Sequence, residues 1–464
     1  MSEVLYRLAL WLLRPLLPLR LRWRARRQPG YSDQLGERFG YIDSPVPVGA
    51  VWIHAVSAGE TLAVVPLVER LRARRPDLSV LITTMTPAGR DAVHARFPDT
   101  VAHAYAPYDF PDAVARALDA VRPALLALVE TELWPNLIAE AHRRRIPVLL
   151  INARLSARSA RGYRLGGRLV RRMMQRLVHV ACQYPAHAAR FAALGVPPDR
   201  LSVTGSVKFD LELPADLGDR AHALRQRYGF GSAPVWVAAS THAGEEALVL
   251  AAHRRVRARI PNARLVLVPR HPHRAAEVAA CCAAAGLTVL CRGGEQPDDG
   301  PVGDEAVVLV AAMGVLLPHY ALADVAFVGG SLVPVGGHNP IEPALIGLPI
   351  VVGPSVRNFA DVLEVLADPG RGASGHPAAS TGSAGASDGE PAATPNAVTV
   401  VANVEALAAV VAFWLGRDPS GATAREAAGE RLRSRARAAS GATERTAALL
   451  LRHVPPPTAV KGEH

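Results

Sequence analysis

The sequence predicts an α/β protein of two domains, each built as a doubly wound parallel sheet. Three observations carry this. Short apolar β-type runs alternate with helical stretches along most of the chain, the pattern of repeated βα units. The alternation pauses over Asp210–Phe230 and restarts at Val235, so two series of similar length follow one another. A chain of 464 residues also exceeds one ordinary core.

In the first series the expected strands are Val51–Val56, Val80–Thr84, Val101–Tyr105, Ala124–Val129, Val148–Ile151 and Val178–Cys182. Helices fill the gaps: one opening at Glu60 and running to Arg74, one from Pro87, then Pro111–Val121, Pro135–Arg144 and Ser159–Leu177. Asp210–Phe230 reads as a linker and helix. The second series has strands at Val235–Ala239, Leu265–Val268, Val289–Cys291, Ala306–Val310, Val325–Val328, Pro349–Val352 and Val398–Val401. Pro369–Asn396, rich in Gly, Ala, Ser and Pro, cannot build a core and reads as a disordered surface insertion. Glu426–His453 reads as one long basic helix before a polar tail.

The N-terminus differs from both series. Val4–Leu21 is apolar but carries Arg7, Arg14, Pro15, Pro18 and Arg20, and Arg22, Arg24, Arg26 and Arg27 follow. No small-residue cleavage site closes it, which argues against a signal peptide. The stretch predicts a membrane anchor, shallow or spanning, whose arginines each add about 1 kcal/mol of attraction to an anionic cytoplasmic leaflet. The competing reading is an amphipathic helix docked on the protein's own surface. The domains expected are thus 1–27 anchor, 28–209 N-terminal, 210–455 C-terminal with the 369–396 insertion, and 456–464 tail.

Half the residues are hydrophobic and 20% are charged, a globular composition. A formal charge of +11 points to an anionic partner. Aromatics at 5% and the lack of a zinc finger, basic zipper or RNP-type motif argue against nucleic acid. Cys182, Cys281, Cys282 and Cys291 contain no C-x-x-C pair, so neither a disulfide framework nor a zinc site is expected. His271 and His273 lie among arginines, which also argues against a metal.

Function in doubly wound sheets gathers where strands end, and these ends are chemically loaded. The first gives His54-Ala55-Val56-Ser57-Ala58-Gly59-Glu60. Glu60 is either a general base, if burial raises its pKa, or a first-turn partner of the helix dipole. Ser57 is not in a G-x-S-x-G elbow, so a hydrolase is disfavoured. Glu130 ends an apolar strand directly and needs a cation or hydrogen-bond donors, for which Lys208 and Arg154 are candidates. Arg270, His271 and Arg274 form either a phosphate or carboxylate clamp or a solvated basic face. In Val325–Asn358, Asn339 is expected at the N-cap, Pro340 at the first helical position and Glu342 three residues after the cap. Gly329, Gly330, Gly336 and Gly337 would let backbone approach a phosphate or sugar hydroxyl there; the alternative is a capped helix with no ligand.

The stretches HAVSAGE, TTMTPAG, ETELWPN, NARLS, TGSVKFD, ASTHAGEE, VPRHPHR, GGSLVPVGGHNPIEPA and GPSVRNF occur in that order over nearly the whole chain. Together they resemble the Kdo (3-deoxy-D-manno-octulosonic acid) transferases of lipopolysaccharide assembly. The resemblance implies a GT-B fold, two Rossmann-like domains facing across a cleft. It implies inverting transfer of Kdo from CMP-Kdo to a lipid A precursor, lipid IV-A, at the cytoplasmic face of the bacterial inner membrane, with no metal and no cofactor. It assigns the base to Glu60 and transition-state stabilisation to Glu130 and Lys208. It assigns CMP binding to Pro269, Arg270 and His271, to Met313, Gly314 and Val315, and to Asn339, Pro340, Ile341 and Glu342. One departure stands out: the family's Met-Gly-Glu reads Met313-Gly314-Val315 here, preceded by Ala311 and Ala312. The alternatives are a GT-B enzyme that uses another nucleotide sugar and a non-catalytic membrane-surface scaffold.

Overall fold

The computed structural model describes residues 3–26, 28–42, 46–292, 307–367, 394–417 and 419–456. The chain divides into two compact units, Met1–Asp210 with Ser440–His464, and Leu211–Ala439.

In the first unit the strands are β1 (Val51–His54), β2 (Val80–Thr84), β3 (Ala102–Tyr105), β4 (Leu125–Val129), β5 (Val148–Ala153), β6 (His179–Cys182) and β7 (Leu201–Val203). They form one parallel sheet of order β3-β2-β1-β4-β5-β6-β7. β1, β2 and β4 are buried along their whole length, as strands covered by helices on both faces must be. Trp52, Leu126 and Leu128 pack against Val114, Leu118 and Leu137 on one face, and Ile53, Ile82 and Ala127 against Val64, Val68 and Leu71 on the other. The chain reverses its winding between β1 and β4, so their C-terminal ends flank the crevice where open α/β sheets hold ligands.

The second unit repeats the plan with β8 (Val235–Thr241), β9 (Arg264–Pro269), β10 (Val289–Arg292), β11 (Val307–Val310), β12 (Val325–Val328), β13 (Ile350–Val352) and β14 (Val398–Val400). The order is β10-β11-β9-β8-β12-β13-β14, again parallel, with the reversal between β8 and β12.

Four expectations change. β7 is an additional three-residue edge strand, too short and too exposed to carry a burial signal. The helix expected over Ser159–Leu177 is two, Ala157–Leu165 and Arg168–Arg176, because Gly167 takes φ 52° and ψ −123°. The expected helix over Glu426–His453 is also two, Pro419–Ala438 and Ala442–Leu451, parted at Gly441 with φ 86°. The latter helix belongs to the first unit, not to the C-terminal domain. Its start is capped by the Asp210 carboxylate, which accepts from the N–H groups of Gly441 (2.5 Å) and Thr443 (2.5 Å). Leu449 and Leu450 complete the core against the first sheet.

The N-terminal stretch is two helices, α1 (Glu3–Leu13) and α2 (Leu16–Ala25), parted at Arg14-Pro15. Among the described residues no helix is long and apolar enough to cross a membrane. Tyr6 Oη donates to Asp109 (2.8 Å), Arg7 to Asn136 (3.0 Å), and Arg14 makes a two-pronged contact with Asp112 (2.9 and 3.0 Å). The other side of the pair leaves Val4, Leu8, Trp11, Leu12, Leu16, Leu19 and Trp23 exposed. The insertion expected at 369–396 lies outside the described residues apart from 394–396, as do Arg27 and residues 457–464.

Candidate active site

At the exit of β1, Ser57 caps the helix Ala58–Arg74 by accepting from the Glu60 N–H (3.3 Å). Glu60 reaches back: its carboxylate accepts from the Val56 N–H (2.9 Å) and from the Ser57 hydroxyl (3.0 Å). This is a capping-box arrangement, so part of Glu60's work is to close the helix. Its acidity goes further. Burial pushes the carboxyl from an ordinary 4.5 up to about 7, against the Val56 hydrogen bond, and the negative charges of Glu132 and Glu130 add to the rise. A carboxyl group that titrates near neutrality is suited to proton abstraction.

Glu130 follows β4 with φ 57°, a left-handed conformation that a non-glycine residue holds at a cost of order 1–3 kcal/mol. It is held there by its N–H donating to Ile151 O (3.0 Å) and by its carbonyl accepting from the Arg154 N–H (3.3 Å). Its carboxylate stands 3.8 Å from Arg154 Nη1. Lys208 lies on the short turn Val207–Asp210. Burial lowers the Lys208 pKa, Glu130 supports its positive charge, and Arg154 opposes it. Glu130, Arg154 and Lys208 therefore act on one another as neighbouring charges, and Glu130 and Arg154 are in ion-pair contact.

In the second unit the exits of β9, β8 and β12 are adjacent. Pro269 ends β9, the Arg270 N–H donates to Thr241 O (3.0 Å), and the His271 ring meets His242 edge-on at 5.6 Å. His242 bonds in turn to His338, the neighbour of Asn339 (2.7 Å). The helix after it, Ile341–Ile346, starts one residue later than expected and has only six residues. Pro340 occupies the capping position, while Asn339 Oδ1 accepts from the Ile341 N–H (3.1 Å). Burial raises the Glu342 pKa, opposed by its hydrogen bond to Asn339. Met313 is 66% exposed, Gly314 has φ 76°, and Val315 leads into the helix Leu316–Ala321, which packs on Ile341–Ile346. Pro269–His271, Met313–Val315 and Asn339–Glu342 thus share the C-terminal end of one sheet.

A family model for 3-Deoxy-D-manno-octulosonic-acid transferase (kdotransferase) matches residues 33–211. The 3-deoxy-D-manno-octulosonic acid transferase of Haemophilus influenzae is 39% identical over 345 residues, covering 74% of this chain and 80% of that protein. The transferase of the same name from Bordetella pertussis is 39% identical over 376 residues, covering 78% of this chain and 85% of its own. The chain belongs to the Kdo transferase family. The fold also resembles a glycosyltransferase of Rickettsia africae (TM-score 0.54, 9% identity, 89% of this chain and 100% of that one). A Listeria monocytogenes protein described as a putative UDP-N-acetylglucosamine 2-epimerase gives TM-score 0.54 at 12% identity, over 89% of this chain and 100% of its own. At such identity the likeness concerns the two parallel-sheet α/β domains of GT-B glycosyltransferases.

Two site expectations for this Kdo transferase family member need correction. Arg274 is not a free anion clamp: it pairs with Glu246 (2.8 Å) and Glu277 (2.6 Å), and its own side chain is 11% exposed. Nor does the glycine loop keep its N–H groups for a ligand. The buried Glu245 carboxylate accepts from Gly330 (2.6 Å), Ser331 (2.9 Å), Leu332 (2.8 Å) and His242 (3.0 Å). Gly329 serves close packing, since a Cβ there would stand 2.7 Å from Ser240 O. Sequence reasoning also passed over Glu132. Its carboxylate accepts from Trp134 Nε1 (2.9 Å), burial and Glu130 raise its pKa, and it is the stronger charged neighbour of Glu60. The signal was the second glutamate of ETELWPN. Among the described residues no group of three or more His, Cys, Asp or Glu is arranged to hold a metal ion.

Proposed function

We propose that the protein is an inverting glycosyltransferase that moves Kdo from CMP-Kdo to the lipid A precursor lipid IV-A, at the cytoplasmic face of a bacterial inner membrane. The observation that carries the reading is Glu60, held by Val56 and Ser57 and titrating near 7 at the winding reversal of the first sheet. Glu60 takes the proton of the acceptor hydroxyl as its oxygen attacks the anomeric carbon. The bond from that carbon to the cytidylate oxygen breaks on the opposite face, and the electron pair leaves with CMP, which inverts the centre. Lys208, kept charged by Glu130, meets negative charge that develops at the reacting groups. Pro269–His271, Met313–Val315 and Asn339–Glu342 hold the nucleotide, and Arg270 supplies positive charge at the exposed exit of β9.

The membrane part of the reading rests on α1 and α2. They dock through Tyr6, Arg7 and Arg14 and turn Trp11, Leu12, Leu16 and Trp23 outward, with Arg22 and Arg26 exposed beside them. An interfacial helix pair of this kind adds apolar insertion to attraction for anionic lipid.

The test is nucleotide affinity. CMP should bind more tightly than UDP by at least about tenfold, or roughly 1.4 kcal/mol. Tighter UDP binding would favour the reading as an enzyme of another nucleotide sugar, to which Val315 in place of a glutamate lends weight. Binding of neither would favour a scaffold.

A further inference from the structure

His242 and His338 lie on either side of the winding reversal of the second sheet, one after β8 and the other at the end of the β12 loop. Their Nε2 atoms are 2.7 Å apart. The two ring planes differ by only 2°, with centroids 5.0 Å apart. Parallel rings with so short an N···N contact and so long a centroid separation meet edge to edge, in one plane. That is the geometry of an in-line N–H···N hydrogen bond.

The backbone under both rings is fixed. The main-chain N–H of His242 donates to buried Glu245 (3.0 Å). His338 lies against the backbone of Gly330, where a Cβ would stand 2.9 Å from its Cδ2. Gly336 and Gly337, with φ 110° and 80°, deliver it there.

The bond fixes the proton inventory. One ring carries Nε2–H and the other accepts, so the acceptor ring carries Nδ1–H and the donor ring keeps an Nδ1 lone pair. One added proton turns that lone pair into a donor without breaking the shared bond. The pair then has a charge of one and an N–H on each Nδ1. We infer that the His242–His338 pair is the anion-recognising element of the nucleotide site, neutral when empty and taking up one proton when a nucleoside monophosphate or its sugar ester binds.

The surrounding charges fit a pair balanced this way. Glu245 and Glu246 support the proton on His242; His271 and Arg274 oppose it, with Arg274 itself neutralised by Glu246 and Glu277. Arg270 and His271 oppose it on His338. Burial lowers both imidazoles, His338 to about 4, and keeps the empty pair neutral. From the β13 side, Arg357 turns to the Pro334 and Val335 carbonyls, and Glu342 is engaged with Asn339. An arriving phosphate brings the negative charge that tips the balance.

The inference rests on the nucleotide-donor reading, and titration calorimetry of the full chain with CMP separates the two. Run at pH 7.5 in buffers of different ionisation enthalpy, it should report uptake of about one proton per CMP bound, and affinity should rise by up to about tenfold per pH unit from pH 8 to 6. His242→Gln and His338→Gln, each checked by melting without ligand, should lose the uptake. Each should bind CMP about 10–100-fold more weakly, the cost of one hydrogen bond to a charged group. CMP binding with no proton uptake, or uptake that persists in both variants and so belongs to the phosphate, overturns the inference and leaves the donor reading intact. No CMP binding by the unaltered protein at any pH overturns both.

Discussion

Glu60→Gln separates the two roles that the geometry gives Glu60. The amide keeps the shape, still accepts from the Val56 N–H and still meets the Ser57 hydroxyl, but it takes no proton. Turnover should fall by roughly 10²–10⁴, and nucleotide affinity should hold, since the loss falls on the transition state. In the unaltered protein the rate should rise with pH and level off above about 7, where the carboxyl is ionised. Stability should move the other way. A carboxyl whose folded pKa lies above its ordinary 4.5 adds stability that is complete below 4.5 and is lost as pH rises through about 7. At about 1.4 kcal/mol per pH unit the full displacement would be larger, but screening of a half-buried group reduces it to about 1–2 kcal/mol. The variant should therefore melt a few degrees higher than the parent at pH 8 and equally with it at pH 4.5. Turnover, CMP affinity and melting are read on one preparation at both pH values. Normal turnover with a lower melting temperature at pH 8 would make Glu60 a helix cap and nothing more.

Other outcomes follow from the same contacts. Glu245→Ala should strand four backbone N–H donors and cost about 3–5 kcal/mol by denaturant unfolding, with loss of nucleotide binding. Asp210→Ala should remove the cap of the helix Ala442–Leu451 and cost about 1–2 kcal/mol, read as a lower denaturation midpoint with unchanged CMP affinity. Replacing Trp11 and Leu12 by Asp should abolish flotation with anionic vesicles and leave the fold intact by circular dichroism, because both side chains point away from the protein. Unchanged flotation would assign membrane contact elsewhere.

Much of the fold was legible because a buried parallel strand is a continuous apolar run, and runs such as Leu125–Val129 have no competing pattern. The ends of helices were less legible. Gly167 and Gly441 each break what periodicity reads as one helix, and only their backbone angles distinguish a break from a tolerated glycine. The position of Ala442–Leu451 on the first sheet depends on Asp210, more than two hundred residues away, which no local pattern encodes. In the candidate site, Glu130 stood out because it ends an apolar strand directly, and Glu60 because it follows the glycine turn at the exit of one. Glu245 and the His242–His338 pair did not, since their meaning lies in partners on other strands. The glycine loop misled for the same reason. Its glycines suggested close approach by a ligand, and the group that approaches the N–H groups of Gly330, Ser331 and Leu332 is the chain's own Glu245 carboxylate.

The central claim is the transfer itself. The full chain, incubated with CMP-Kdo and lipid IV-A in detergent, should give a lipid product whose mass has increased by one or more Kdo residues. CMP should be released in equal amount, with the anomeric configuration inverted by NMR. A lipid of unchanged mass, with CMP-Kdo left intact, would contradict this activity.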